Sequence, residues 1–580
     1  MSSIELLPGK FTEPVSETIK EAETSNIVKR LWRKDASLWK ADDANQKIIK
    51  NALGWLAAPD DMIAVADDLI EFADLIRRRG FKHVMVCGMG GSSLCPEVLA
   101  QTFGSQAGFP ELLVLDSTDP DVLAAFADRI EIEHCLFIIA SKSGTTTEPT
   151  VFYKFWYDQL TKRSASPGEN FVAITDPGSP LVETATELGF QRIFLNQADI
   201  GGRYSALTYF GLVPAAVAGI DVKSLLDRAK HVAQACAAVM PATANPALRL
   251  GAFIGECARL GRDKVTLVID EKIASLGLWI EQLIAESTGK EGKGILPVAG
   301  EPLGAPSVYG ADRVFVSISI GASVGTLGRD TEAKLAALAG AGHPIANLEL
   351  TDAYDLGAEF FLWEFATACA GWRIGVNPFD QPNVQEAKDA TKELLNTFVS
   401  QGNLPEQTAL VADKNLTVYA GGNTRAILPS TSLIDALRAH LATVKPGDYI
   451  AFLNYFEETA EVDAKLQEIR TYLRDATKCA TTIGYGPRFL HSTGQMHKGG
   501  PDTGLFFQIT AKDKKDFPVP GETYTFSILK QAQALGDFRA LSGHGRRVVR
   551  VDLGEDVRAG LQRLHELIVA ALPVSVGAGK

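Results

Sequence analysis

Cysteine is scarce and shows no pairing pattern. The 580-residue chain holds seven, an odd number, none at C-x-x-C spacing and most inside apolar segments such as "VMVCG" and "ATACAGW". That distribution suits reduced, buried thiols and gives no support to a disulfide framework or a cysteine metal site. The nine histidines form no H-E-x-x-H and no Cys/His cluster, so no metal is expected. No apolar run reaches the ~20 residues that span a bilayer. The start, "MSSIELLPGKFTEPVSETIKEAE", lacks both the charged-then-apolar signal pattern and the arginine-rich transit pattern. A cytoplasmic protein that makes no membrane contact is expected. Positive charge is in deficit, 57 Lys and Arg against 70 Asp and Glu for a formal net charge of −13. Without a basic stripe to neutralise phosphates, nucleic acid is not an expected partner.

What the chain does have is apolar content, 46% hydrophobic against 22% charged residues, too much for disorder and spread over too great a length for one core. Short strands alternate with longer amphipathic helices. After a charged, helical lead-in over residues 1–55, strands are predicted at "HVMVCG", "LLVLD", "CLFIIA", "FVAIT" and "RIFLN", giving a first unit over 56–230. The pattern restarts with "KVTLVID", "RVFVSISI" and "IANLEL" in a second unit over 231–400. It restarts again with "LTVYAG", "DYIAFLNY", "ATTIGYG", "LFFQIT" and "RRVVRVDL" in a C-terminal α/β unit over 401–580. Such alternation implies right-handed crossovers and mostly parallel, doubly wound sheets with helices on both faces.

In sheets of this kind the ligand crevice lies outside the carboxyl ends of the strands. Two stretches leave strands there: "VCGMGGSSL" (Val86 to Leu94) and "IIASKSGTTTEP" (Ile139 to Pro149). Gly88, Gly90 and Gly91 let backbone approach a ligand, and Ser141, Ser143, Thr145 and Thr146 offer hydroxyl donors. The amides of the following helix N-terminus add further donors and partial positive charge. Together these form an anion cradle suited to a phosphate monoester. The competing reading makes "TTTE" a capping box in which Glu148 reaches back to the helix start, satisfying amides and leaving no ligand site. "GMGGSS" lacks the third glycine of the dinucleotide fingerprint, Ser93 standing in its place, which counts against a nicotinamide-dependent oxidoreductase.

"GMGGSSL" followed by "SKSGTTTE" resembles the sugar-isomerase domain of phosphosugar isomerases and binders. "GGRYSALTYFGLVP", "AESTGKEGKGILPV" and "NPFDQPNVQEAK" then follow in the order and spacing of the glucose-6-phosphate isomerase family. The resemblance covers about residues 30 to 400, and "LWRKDASLWK" together with the additional C-terminal region is similar to the isomerase half of transaldolase–isomerase fusions. It implies two sugar-isomerase domains plus the extra α/β domain, a hexose phosphate substrate and no cofactor. Monomer and homodimer both stay open, and a functional link to transaldolase is implied. It assigns Ser141, Lys142, Ser143, Thr145 and Thr146 to substrate binding around the phosphate, and Gly91, Ser92, Gly202 and Gln282 to the rest of the substrate. Glu286, Arg203 and Lys388 are implied to be catalytic.

These implied roles are chemically coherent. Aldose–ketose interconversion moves a proton between adjacent carbons through a cis-enediolate, so one carboxylate facing both carbons suffices. Glu286, in "LGLWIEQLIAES", has apolar neighbours Ile284 and Ala285 that are expected to limit its solvation, as suits a general base; the plain alternative is a solvated surface glutamate. Arg203 supplies a permanent cation beside the developing oxyanion. A cyclic sugar must also be opened, for which Lys388 serves one side. The family's histidine, in a "GQH" turn after the glutamate, has no counterpart in "GEPLGAPSVYGADRVF". Between Glu286 and Lys388 stands only His343, in a non-matching context. "FLHSTGQMHKGGPDTG" offers a substitute, with His497 of "TGQMH" the expected residue and His491 the second choice, supplied within one chain; otherwise the segment is a glycine-rich surface loop. A non-catalytic sugar-phosphate sensor on the same domain remains the alternative to an isomerase.

Overall fold

The computed structural model describes residues 3–321, 327–413 and 416–572. The chain opens with β1 (Ser3–Leu7), an edge strand inside the segment expected to be a helical lead-in, and helices then follow to Arg78. The first sheet comprises β2 (His83–Cys87), β3 (Glu111–Leu115), β4 (Cys135–Ala140), β5 (Phe171–Thr175) and β6 (Arg192–Leu195). Its order is β3-β2-β4-β5-β6 and every pairing is parallel. β4 and β5 are buried at every residue, as expected when helices cover both faces of a parallel sheet.

A second sheet contains β7 (Lys264–Ile269), β8 (Leu296–Val298), β9 (Arg313–Ile320) and β10 (Ile345–Leu350), in the order β1-β10-β9-β7-β8. Only the β1 pairing is antiparallel. The third sheet comprises β11 (Val411–Ala412), β12 (Thr417–Ala420), β13 (Tyr449–Tyr455), β14 (Ala480–Tyr485), β15 (Gly504–Thr510) and β16 (Arg547–Asp552), ordered β11-β12-β16-β15-β13-β14. In all three sheets the first strand of the parallel set lies between the second and third, so each has a point where crossovers diverge to opposite faces.

The sheets do not bury themselves separately. Phe526, Leu529, Ala532 and Leu535, from the helix Phe526–Gly543, share one core with Phe137, Phe152, Phe155 and Trp156 of the first unit. Phe155 packs edge-on against Phe517 and Phe526, with centroids 5.5 and 5.6 Å away. Lys530 on that helix reaches Asp119 at 2.7 Å and also pairs with Asp513. The C-terminal unit therefore packs against the helix Thr147–Thr161, which follows β4, and against the loop after β3. Among the described residues no helix is long and apolar enough to cross a membrane.

Candidate active site

In the first sheet the divergence falls between β2 and β4. The glycine loop after β2 and the hydroxyl loop after β4 therefore flank one crevice. A cleft of about 810 Å³ opens there, lined by Gly91, Ser92, Ser141, Lys142, Ser143, Thr146, Gly202, Arg203, Gln282, Glu286, Lys388 and His491, among others. Gly90 turns the loop at φ +54. Gly91 is forced by close approach, because a Cβ on it would lie 1.9 Å from the Gly202 carbonyl oxygen. That contact seats the "GGR" turn against the glycine loop.

The helix Thr147–Thr161 follows the hydroxyl loop with Thr146 at its cap position, and the Thr146 side chain makes no capping bond. Glu148 is the second helical residue; its Oε1 accepts from Gln533 Nε2 at 2.7 Å and faces His491 Nε2 at 3.4 Å. The capping-box reading therefore does not hold: Thr146 makes no cap bond and the Glu148 carboxylate is turned to Gln533 and His491. Ser143 Oγ and Thr145 Oγ1 lie 3.0 Å apart and Ser141 Oγ is 3.3 Å from Thr146 Oγ1. Thr145 faces an adjoining cleft of about 660 Å³ that shares Ser143, Thr146, Lys388 and His491 with the first. Lys142 lines the main cleft, but its Nζ is held by Asp176 and by the Ala198 carbonyl at 2.8 Å.

Glu286 and Gln282 stand one turn apart on the buried helix Leu276–Thr288, and Gln282 Nε2 donates to Glu286 Oε2 at 3.2 Å. Glu281, five residues before Glu286, projects from another side of this helix. Burial pushes its carboxyl up to about 8 against the pull of Arg470. Arg203, 3% exposed, lies 3.4 Å from Glu286 Oε1. Its remaining donors go to Ser287 Oγ at 2.7 Å, Gln381 Oε1 at 3.0 Å, and the carbonyls of Pro378 and Asp380 at 2.6 and 3.1 Å. The same segment receives Lys290, whose Nζ donates to the Asn377 carbonyl at 2.8 Å and to Asp380 Oδ1 at 2.6 Å. Burial, and then the neighbouring Arg203 cation, bring the Lys290 ammonium down to about 8. The guanidinium is fixed in place before any substrate arrives, so its charge needs no reorganisation as an oxyanion forms.

The two candidate histidines separate. His497 lies on the short helix Gly494–Gly499 and is buried between Tyr449 and Phe506, with its Nδ1 2.9 Å from the Tyr449 hydroxyl. It does not line the cleft, and burial holds its imidazole well below the ordinary range. The expectation for His497 is therefore corrected: "TGQMH" winds into a helical turn that aims this residue at aromatic core. His491 lines the cleft, and its carbonyl accepts from Gln282 Nε2 at 2.7 Å. Burial raises the Glu148 carboxyl, but its charge pairing and hydrogen bond with His491 outweigh this and hold it below the usual range. Sequence reasoning missed Gln495, which donates to the Gly289 carbonyl at 2.9 Å and accepts from the Asn383 amide at 2.8 Å. These contacts join the end of the Glu286 helix to the start of the helix Pro382–Gln401, which carries Lys388.

Residues 76–295 match the family model for phosphoglucose isomerase. The glucose-6-phosphate isomerase of Rubrobacter xylanophilus is 30% identical over 368 residues, which is 56% of this chain and 84% of that protein. The chain belongs to the phosphoglucose isomerase family. The Symbiobacterium thermophilum glucose-6-phosphate isomerase is likewise 30% identical, over 394 residues, covering 59% of this chain and 86% of that protein. Two solved structures share the fold. A hypothetical protein from Thermus thermophilus has a TM-score of 0.58 at 23% identity, covering 67% of this chain and 99% of that one. A glucose-6-phosphate isomerase from Chlamydia trachomatis has a TM-score of 0.51 at 20% identity, covering 65% and 78%. The family match stops at residue 295, before both Lys388 and His491.

Proposed function

We propose that the chain interconverts D-glucose 6-phosphate and D-fructose 6-phosphate through a cis-enediolate, with no cofactor or metal. The observation that carries this reading is the convergence of Glu286, Arg203 and Lys388 on one cleft with the hydroxyl loop. A sensor would need the loop alone.

The phosphate is held by Ser141, Ser143, Thr145, Thr146 and the amides that begin the helix Thr147–Thr161. Gly91, Ser92, Gly202 and Gln282 bind the sugar, and Lys142 acts through its pairing with Asp176. Ring opening transfers a proton to the ring oxygen from His491 while Lys388 takes the C1 hydroxyl proton, so the C1–O5 bond breaks and the aldehyde forms. Glu286 then removes the C2 proton, the electron pair moves onto O1 to give the 1,2-enediolate, the O2 hydroxyl proton passes to O1, and the same carboxyl returns its proton to C1 as the C2 carbonyl forms. Arg203 balances the negative oxygen meanwhile. Gln282 links the two stages, donating both to Glu286 and to the His491 carbonyl.

In this reading residues 56–230 and 231–400 are the two sugar-isomerase domains, 1–55 packs against them, and 401–580 delivers His491 within the same chain. That arrangement suits a monomer as well as a homodimer. A cytoplasmic setting and a link to transaldolase belong to the same proposal. The test is the purified protein with fructose 6-phosphate and a coupled glucose-6-phosphate assay; absence of product without added cofactor rejects the reading.

A further inference from the structure

We propose that Arg488 is a positioning residue for ring opening, fixing His491 over the cleft by clamping its turn to Asp116 and, through Asp116, to the glycine loop. The inference rests on the reading above that His491 protonates the ring oxygen.

Arg488 and His491 open and close one 3-10 turn, Arg488–His491, directly after β14. At its start the Arg488 guanidinium binds Asp116 by both arms, Nε to Oδ2 at 2.8 Å and Nη2 to Oδ1 at 2.9 Å. Asp116 immediately follows β3 and is 3% exposed. Its Oδ2 also accepts from Ser93 Oγ at 3.2 Å, and that hydroxyl lies 3.2 Å from the Gly90 carbonyl. The far end of the turn is held by the His491 carbonyl on Gln282 and the His491 ring against Glu148. The imidazole is thus carried on one unit and used on another, and the paired hydrogen bonds set the orientation of the turn as well as its distance.

The surroundings favour this geometry over a simple charge tether. Arg488 borders a cleft of about 550 Å³ whose other lining groups include Glu97, Glu458 and Asp463. Glu458 Oε2 is 3.5 Å from Nη1. Any cation at this position finds carboxylates, but only a planar fork holds Asp116 in two places and so prevents the turn from swivelling. Lysine keeps the attraction and loses the orientation.

Ring opening can be read separately from proton transfer. In a Glu286→Gln protein the α and β anomers of glucose 6-phosphate still exchange through the open chain, and magnetisation-transfer NMR measures that rate. Adding Arg488→Met or Arg488→Lys is expected to lower enzyme-catalysed anomer exchange about 10- to 100-fold, as for a reacting group displaced by about an ångström. Affinity for an acyclic aldonate 5-phosphate, which needs no opening, is expected to stay within about threefold. Asp116→Asn should reproduce the effect and serves if Arg488→Met does not accumulate. Anomer exchange at the parent rate in Arg488→Lys overturns the inference, as does a parallel loss of exchange and analogue affinity in all three variants. If the Glu286→Gln parent itself does not exchange anomers, or if adding His491→Ala leaves exchange intact, the His491 reading falls and takes this inference with it.

Discussion

Replacing Gly91 by alanine tests how the site is assembled from loops that lie far apart in sequence. The added methyl would sit 1.9 Å from the Gly202 carbonyl oxygen and 2.1 Å from its carbon, and neither is the end of a flexible side chain. Ordinary contact requires roughly 1.5 Å more, so the glycine loop and the "GGR" turn must part. Arg203 follows Gly202 directly and is tied on its other side to Ser287, Pro378 and Asp380, so the displacement is shared between the guanidinium and the backbone of the glycine loop. A misplacement of about an ångström costs on the order of 10²-fold in rate, whereas overpacking costs about 1–3 kcal/mol of stability. Steady-state kinetics in both directions, with thermal melting beside them, should show kcat/KM down about 100-fold in a protein that still melts cooperatively. A Gly91→Ala enzyme with kcat/KM within about twofold of the parent would refute the reasoning, since it would mean that the approach of these loops does not place Arg203.

Other expectations address separate parts of the account. Removing the hydroxyls of Ser143 and Thr145 together should raise KM, and the inhibition constant for inorganic phosphate, by about 10²-fold, each bond to a charged group contributing about 1.5 kcal/mol or more; competition assays with phosphate read this directly. His491→Ala should slow turnover of cyclic substrate by at least about 10²-fold. His497→Asn should leave kcat within about twofold and appear instead as a destabilisation of about 1–3 kcal/mol in denaturant titrations. Glu281 gives a pH-dependent stability. Its carboxyl is raised from 4.5 to about 8, so the folded chain keeps a proton that the unfolded chain has released. That contribution is full below about pH 4.5 and is lost as pH rises through about 8. Glu281→Gln should therefore melt close to the parent at pH 5 and above it at pH 9, the gap reflecting on the order of 4 kcal/mol; melting curves that stay parallel at both pH values would contradict it.

The strands were legible because parallel strands covered on both faces are continuous apolar runs, and "CLFIIA" and "FVAIT" are buried throughout. β1 escaped notice because it lies at the edge of its sheet and alternates exposed and half-buried residues, with no buried one among them. The two loops that flank the cleft were readable because the glycines cluster within residues 88–91 and the hydroxyls within residues 141–146. The cleft-lining histidine was not, since whether His491 or His497 reaches the cleft depends on which way a short turn winds, and "TGQMH" matched a motif while pointing into the core. Gln533, Gln495 and Arg488 carry no local signal at all: each acquires its partner only when the C-terminal unit docks, across 385, 206 and 372 residues of chain respectively.

The central claim is that the Glu286 carboxylate alone carries hydrogen between C2 and C1. The most direct test is conversion of fructose 6-phosphate in deuterium oxide by Glu286→Gln, following product formation and deuterium wash-in together. Both should fall by about 10³-fold or more while inorganic phosphate still binds. Wash-in or product at near the parent rate would contradict the account.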